Sequence, residues 1–147
     1  MSTSKRVPAQ TAELPMLARL RAEACTLLVE REGRVMFASD RRGLRPLWRA
    51  VTEHQDVVEG ADVADKVIGL AAAYLLLYGR VGRVFAGIMS QDARRVLRDA
   101  NVPHEAESFV KQILDESRDE PCPMEQLARE AGEVARFVDE LRTRLAT

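Results

Sequence analysis

Residues Asp62–Gly79 read DVADKVIGLAAAYLLLYG, and no charge follows Lys66 within this stretch. Asp62, with Asp65 three residues on, forms an approximate capping box, and Gly79 is a stop signal. The stretch is therefore predicted to be one helix from Asp62 to about Tyr78. A helix apolar on most faces has no side to offer water, so it belongs at the centre of the core. The uncharged run Val67–Gly79 is too short to span a bilayer, which takes about 20 residues.

The flanking elements follow from this centre. Upstream, Cys25–Glu30 (CTLLVE) and Arg34–Ser39 (RVMFAS) read as strands around Arg31-Glu32-Gly33, a hairpin signal. Before them, Pro15 opens a helix carrying Leu17, Ala18 and Leu20 and ending near Ala24. Ser39–Gly43 is a polar turn, Pro46 opens a short helix to about His54, and Asp56–Gly60 is a linker. Downstream, Arg83–Met89 reads as a strand and Ser90 as the cap of a helix from Gln91 to about Ala100. His104–Ser108 reads as a short strand, Phe109–Leu114 as weakly helical or irregular, and Asp115–Glu120 as charged loop. Met124–Leu145 is a long amphipathic helix that Gly132 bends or splits. Residues 1–13 form a flexible tail and 14–147 a single domain. Alternation after the hairpin predicts an α/β fold, a three-layer α/β/α sandwich around a mixed sheet.

Composition narrows the function classes. The 147 residues are enough to bury a core without staples. Lys plus Arg number 22 and Asp plus Glu 23, a formal charge of −1. That balance argues against coating DNA, which needs excess cations against phosphate. Two cysteines make no disulfide framework, and the polar start, Met1–Gln10, lacks the apolar core of a signal peptide. The expectation is a cytoplasmic protein that engages neither DNA nor membrane and carries no cofactor, with a homo-oligomer left open.

Four groups of residues, in order, are distinctive. They are Gly43-Leu44-Arg45-Pro46-Leu47; Ala64-Asp65-Lys66-Val67-Ile68-Gly69 with Ala71-Ala72-Ala73; Phe85-Ala86 with Met89-Ser90; and Pro121-Cys122-Pro123-Met124-Glu125. Together, over about residues 14–130, the chain resembles domain of unknown function 1893. The resemblance implies a scaffold similar to the cytidine deaminase superfamily and, because the family's activity is unassigned, no particular reaction. Leu70 stands where the family often has a basic residue, so a ligand contact from that side chain is missing.

The residues do not supply zinc deaminase chemistry. That chemistry takes a His or Cys ligand with a Glu two residues on, then a Pro-Cys-x-x-Cys turn. Here Asp65-Lys66-Val67 and Met89-Ser90-Gln91 occupy the expected places. Cys122 sits in a Pro-Cys pair, but Glu125 holds the second cysteine position and the segment comes one element late. No metal site is expected.

Geometry outlives the lost ligands in this reading. The predicted helix around Asp65-Lys66 and the helix after Ser90 are expected to start side by side at one sheet edge. Their free N–H groups form an anion site, to which Lys66 adds a full charge. Asp65, Lys66 and Ser90 make the floor of a ligand site, and the segment from Cys122 to Glu125 a wall. The competing reading has Asp65 complementing a helix dipole and Lys66 solvated. Cys122, just before a helix, is placed for thiol reactivity, or is simply a small residue at a tidy helix start. Arg41, Arg42, Arg45 and Arg49 form the densest basic cluster, either solvated or in contact with phosphate. Trp48 either anchors its helix or stacks on a partner.

Two functions remain. One is a binding domain for a nucleotide-like or other anionic small ligand, with or without a reaction. The other is a non-enzymatic interaction or assembly module with a vestigial pocket.

Overall fold

The computed structural model describes residues 13–114 and 122–145. Helix α1 (Pro15–Ala22) leads into β1 (Leu27–Arg31) and β2 (Arg34–Ser39). Helices α2 (Arg45–Glu53) and α3 (Gln55–Val58) follow, then β3 (Asp62–Ile68), α4 (Leu70–Tyr78), β4 (Arg83–Ser90), α5 (Gln91–Asp99) and β5 (His104–Val110). Helices α6 (Pro123–Ala131) and α7 (Val134–Leu145) close the described chain.

The fold is α/β with a mixed sheet of order β2-β1-β3-β4-β5. β1 runs antiparallel to both β2 and β3, while β3, β4 and β5 are parallel. The hairpin closes in two residues, because Arg31 pairs with Arg34. Glu32 and Gly33 both have positive φ, as the tight primed turns of hairpins require.

The decisive stretch differs from its sequence expectation. Asp62–Ile68 is a strand, and the helix begins only at Leu70. Asp62 and Asp65 therefore cap nothing: they lie in β3, with Asp65 opposite Leu27 of β1 and Ala86 of β4. Local signals favoured a cap, but the central place between two strands satisfies the backbone of residues 62–68 through neighbours distant in sequence. Val63, Val67 and Ile68 are β-branched and fit that role. The apolar remainder is the central helix, with every residue from Leu70 to Leu76 buried. Gly79 does end α4, through close packing: a Cβ there would meet Val51 Cγ1 at 2.7 Å.

Side chains alternate across the sheet. Leu27, Val29, Val63, Val84 and Ala86 join a large core with α2, α4, α5, α6 and α7. Leu28, Ala64 and Phe85 face the other way, beneath Met16, Leu17 and Leu20 of α1. Each fully buried leucine contributes about 1.5–3 kcal/mol relative to exposure. On the α1 face the buried carboxylate of Glu30 receives both arms of Arg19 at 2.8 Å. Arg21 reaches across the sheet to fork Glu107 of β5 at 2.6 and 2.9 Å.

Two smaller expectations change. Residues 56–60, read as linker, include most of the short α3, Gln55–Val58. β5 extends to Val110. Gly132, with φ of 76°, splits the long C-terminal helix in two, as its sequence allowed. Asp115–Glu120 and the tail before Glu13 lie outside the described residues. Among those described, no helix is long and apolar enough to cross a membrane.

Candidate functional site

The parallel strands end together. Ile68 pairs with Met89, so Gly69 and Ser90 leave the sheet side by side, each at the head of a helix. To this extent two helix starts do share one sheet edge. Three of their free N–H groups, however, are already taken.

Ser90 is 1% exposed, and its Oγ accepts a hydrogen bond from the Ala93 N–H at 3.1 Å. It is the N-cap expected from sequence. Gly69 has no side chain with which to cap α4. Glu125 supplies the cap from 55 residues away: Leu70 N–H donates to Oε1 at 2.7 Å, and Ala71 N–H donates to Oε2 at 2.8 Å. The α4 start is an anion site, and the chain fills it with its own carboxylate. Burial pushes Glu125 above its ordinary range, while the two N–H groups and Arg129 pull it back.

The other predicted residues disperse. Asp65 belongs to the interior of β3, several residues short of the strand end. It is partly exposed along its strand, yet desolvation pushes its carboxyl up to about 7, against hydrogen bonds from the Val67 and Lys66 N–H groups. Lys66 is exposed, and its backbone N–H donates to Thr26 O at 3.2 Å. Cys122 precedes α6, half-buried, three residues from Glu125. Asp65, Lys66, Ser90, Cys122 and Glu125 therefore form no single floor and wall. The reason is the strand at 62–68: it moves Asp65 and Lys66 off the start of the buried helix. Among the described residues, no three His, Cys, Asp or Glu side chains gather as metal ligands. His54 lies against Phe37 with ring centroids 5.3 Å apart, and His104 Nδ1 is 2.8 Å from Val102 O.

Beside this edge, where β1 begins and β2 ends, lies an open groove of about 710 Å³. Glu23, Ala24 and Cys25 form one side, Phe37–Arg41 the base, and Arg45, Pro46 and Arg49 the other side. The sequence marked these arginines as a cluster without showing that they share a cavity. α2 explains the grouping: Arg45 and Arg49, four apart, project from one helix face. Pro46 and Leu47 of the same helix are buried and fix it on the core. Arg41 is held through its backbone. Its carbonyl accepts from Thr26 Oγ1 at 2.6 Å, and its N–H donates to Ser39 Oγ at 3.1 Å.

The charges of the groove are unevenly matched. Arg49 lies 3.5 Å from Glu53 in an exposed pair. Among the described residues neither Arg41 nor Arg45 has a carboxylate within ion-pair distance. Glu23 and Asp40 line the same groove; burial, and then these two carboxylates, push the Cys25 thiol up, while Lys66 pulls it down. Lys66 thus lies within electrostatic reach of the groove. Trp48 turns away from it: the residue packs on the core, with Arg142 5.5 Å over its ring.

The family model for domain of unknown function (DUF1893) matches residues 16–145. Among solved structures, a DUF1893 family protein from Thermotoga maritima aligns with a TM-score of 0.78. The alignment covers 88% of this chain and 87% of that one, at 23% identity, a likeness of fold. No curated protein matches the chain.

Proposed function

We propose that this chain, which belongs to the DUF1893 family, is a binding domain for a small anionic ligand, held in the groove of Arg41, Arg45 and Arg49. The supporting observation is that three arginines line one open groove of about 710 Å³, a size within the usual range for small-molecule sites. Planar guanidinium forks match phosphate and carboxylate geometry. Lys66 adds charge from the end of β3. A nucleotide-like ligand is the preferred class, because Phe37 and Pro46 give the groove apolar surface beside its cations.

The scaffold is read here as cytidine deaminase-like. The support is a hairpin entering a mixed sheet, followed by alternating strands and helices, with α1 on one face and the remaining large helices on the other. On this reading the caps at Ser90 and Glu125 belong to the scaffold, and binding has moved to the neighbouring groove.

The test is calorimetric titration of the purified protein with AMP and with inorganic phosphate. AMP is expected to bind, and the Arg41→Ala, Arg45→Ala double variant to bind about ten- to a hundredfold more weakly at unchanged melting temperature, the loss typical of charge-assisted contacts. Lys66→Ala is expected to weaken binding less. Binding that survives the double variant would refute the site. Absence of any binding, with no anionic metabolite retained in native mass spectrometry, would refute the function.

A further inference from the structure

We infer that Glu23 and Asp40 are specificity residues of the arginine groove, restricting it to anions that also carry hydrogen-bond donors, amino or hydroxyl groups. The inference rests on the reading of that groove as the anion site.

The groove carries both signs of charge. Glu23 and Asp40 line it together with Arg41, Arg45 and Arg49. The two signs do not neutralise each other. Among the described residues, neither carboxylate has a cation within ion-pair distance. Arg41 and Arg45 are likewise without a carboxylate, and Arg49 meets Glu53, which does not line the groove.

The fold fixes where the carboxylates are presented. Glu23 closes α1, its N–H bonded to Arg19 O at 3.0 Å, and the following turn is held by the Cys25 N–H on Leu20 O at 2.9 Å. Asp40 stands between two pinned neighbours. Ser39 O accepts the Thr26 N–H at 2.8 Å, and Arg41 O accepts from Thr26 Oγ1 at 2.6 Å. Both acidic residues are exposed, and so open to a ligand. Both act on the thiol of Cys25, which is buried in the groove wall. Negative charge is therefore gathered about Cys25, while Arg45 and Arg49 belong to α2.

These charges treat two kinds of ligand differently. A bare polyanion is attracted by the arginines and repelled by the carboxylates. A ligand whose anion meets the arginines and whose donors meet the carboxylates gains from both. Ionised carboxylates only accept, so that second group must bring N–H or O–H. Repulsion of the wrong ligand contributes to selectivity as much as attraction of the right one. In a nucleotide the donors are the sugar hydroxyls and the amino group of the base.

Calorimetric titration with four probes tests this. They are AMP; purine riboside 5′-monophosphate, which lacks the amino group; 2′,3′-dideoxy-AMP, which lacks the hydroxyls; and pyrophosphate, which lacks both. AMP is expected to bind about tenfold or more tightly than at least one of the two depleted nucleotides, the cost of a lost charge-assisted bond. Which one weakens tells whether base or sugar meets the carboxylates. In the Glu23→Ala, Asp40→Ala variant this difference is expected to vanish, while pyrophosphate binds at least as tightly as to the wild type. A general loss of structure would weaken pyrophosphate too, so its retention separates lost recognition from lost fold. Equal affinity of the wild type for AMP and both depleted nucleotides overturns the inference and leaves the arginine site standing. So does discrimination that survives in the variant. AMP binding that is absent, or that persists without Arg41 and Arg45, removes the groove reading and this inference with it.

Discussion

Glu125 and Gly69 interlock: the carboxylate of Glu125, 6% exposed, fills the space that a Cβ on Gly69 would occupy. From there it receives the first free N–H groups of the central helix, at Leu70 and Ala71. Removing the carboxylate leaves two buried donors without partners. Glu125→Ala is expected to destabilise by about 2–4 kcal/mol, from the lost charge-assisted bonds and the buried donors left behind. Glu125→Gln keeps the shape and one acceptor and is expected to lose about half as much. Urea unfolding of the three proteins decides this; equal midpoints would show that the cap is unimportant.

Gly69→Ala tests the same contact from the other side. Its Cβ would overlap a buried carboxylate, which cannot withdraw without abandoning the helix start. The substitution is expected to destabilise strongly in the wild type and much less in the Glu125→Ala background. A double-mutant cycle should therefore show coupling above about 0.5 kcal/mol. Additive costs would mean that the two residues do not meet.

Asp65 makes stability depend on pH. Its carboxyl rises from an ordinary 3.8 to about 7 in the folded chain. Between those values the folded carboxyl holds a proton that the unfolded chain has released, so its contribution is full below 3.8 and lost as pH rises through 7. Asp65→Asn removes this dependence while keeping an acceptor for the Val67 N–H. The variant is expected to gain stability relative to the wild type as pH is raised from 4 to 8. Glu125 shifts in the same direction and Glu107 in the opposite one, held low by Arg21, but both remain in the variant and cancel in the comparison. Parallel stability curves would contradict the assignment.

The two thiols should differ. Cys25 is buried, its Sγ lies 3.6 Å from Glu23 O, and burial pushes the thiol up. Cys122 is half-buried at the head of α6. Iodoacetamide on the native protein, followed by peptide mapping, is expected to label Cys122 first. Preferential labelling of Cys25 would show that the α1–β1 turn opens.

Much of this chain is locally encoded. Pro15 and Pro46 in the first turns of helices, Ser90 capping α5, Cys122 and Pro123 opening α6, and Gly132 parting the last two helices all act within a few residues of themselves. Sequence alone determined the hairpin, the central apolar helix, the α/β class with a mixed sheet, and the arginine cluster. Tertiary structure decided the rest. Asp62–Ile68 carries a plausible capping pattern and becomes a strand because β1 and β4 stand on either side to satisfy its backbone. Glu125 caps a helix 55 residues away, a distance that no local pattern records. Arg41 and Arg45 meet across a cavity because one follows a strand and the other opens a helix seated on the core. Hydrogen bonds within a turn are written in adjacent residues, whereas those across a sheet or between helices exist only once the chain has folded back on itself.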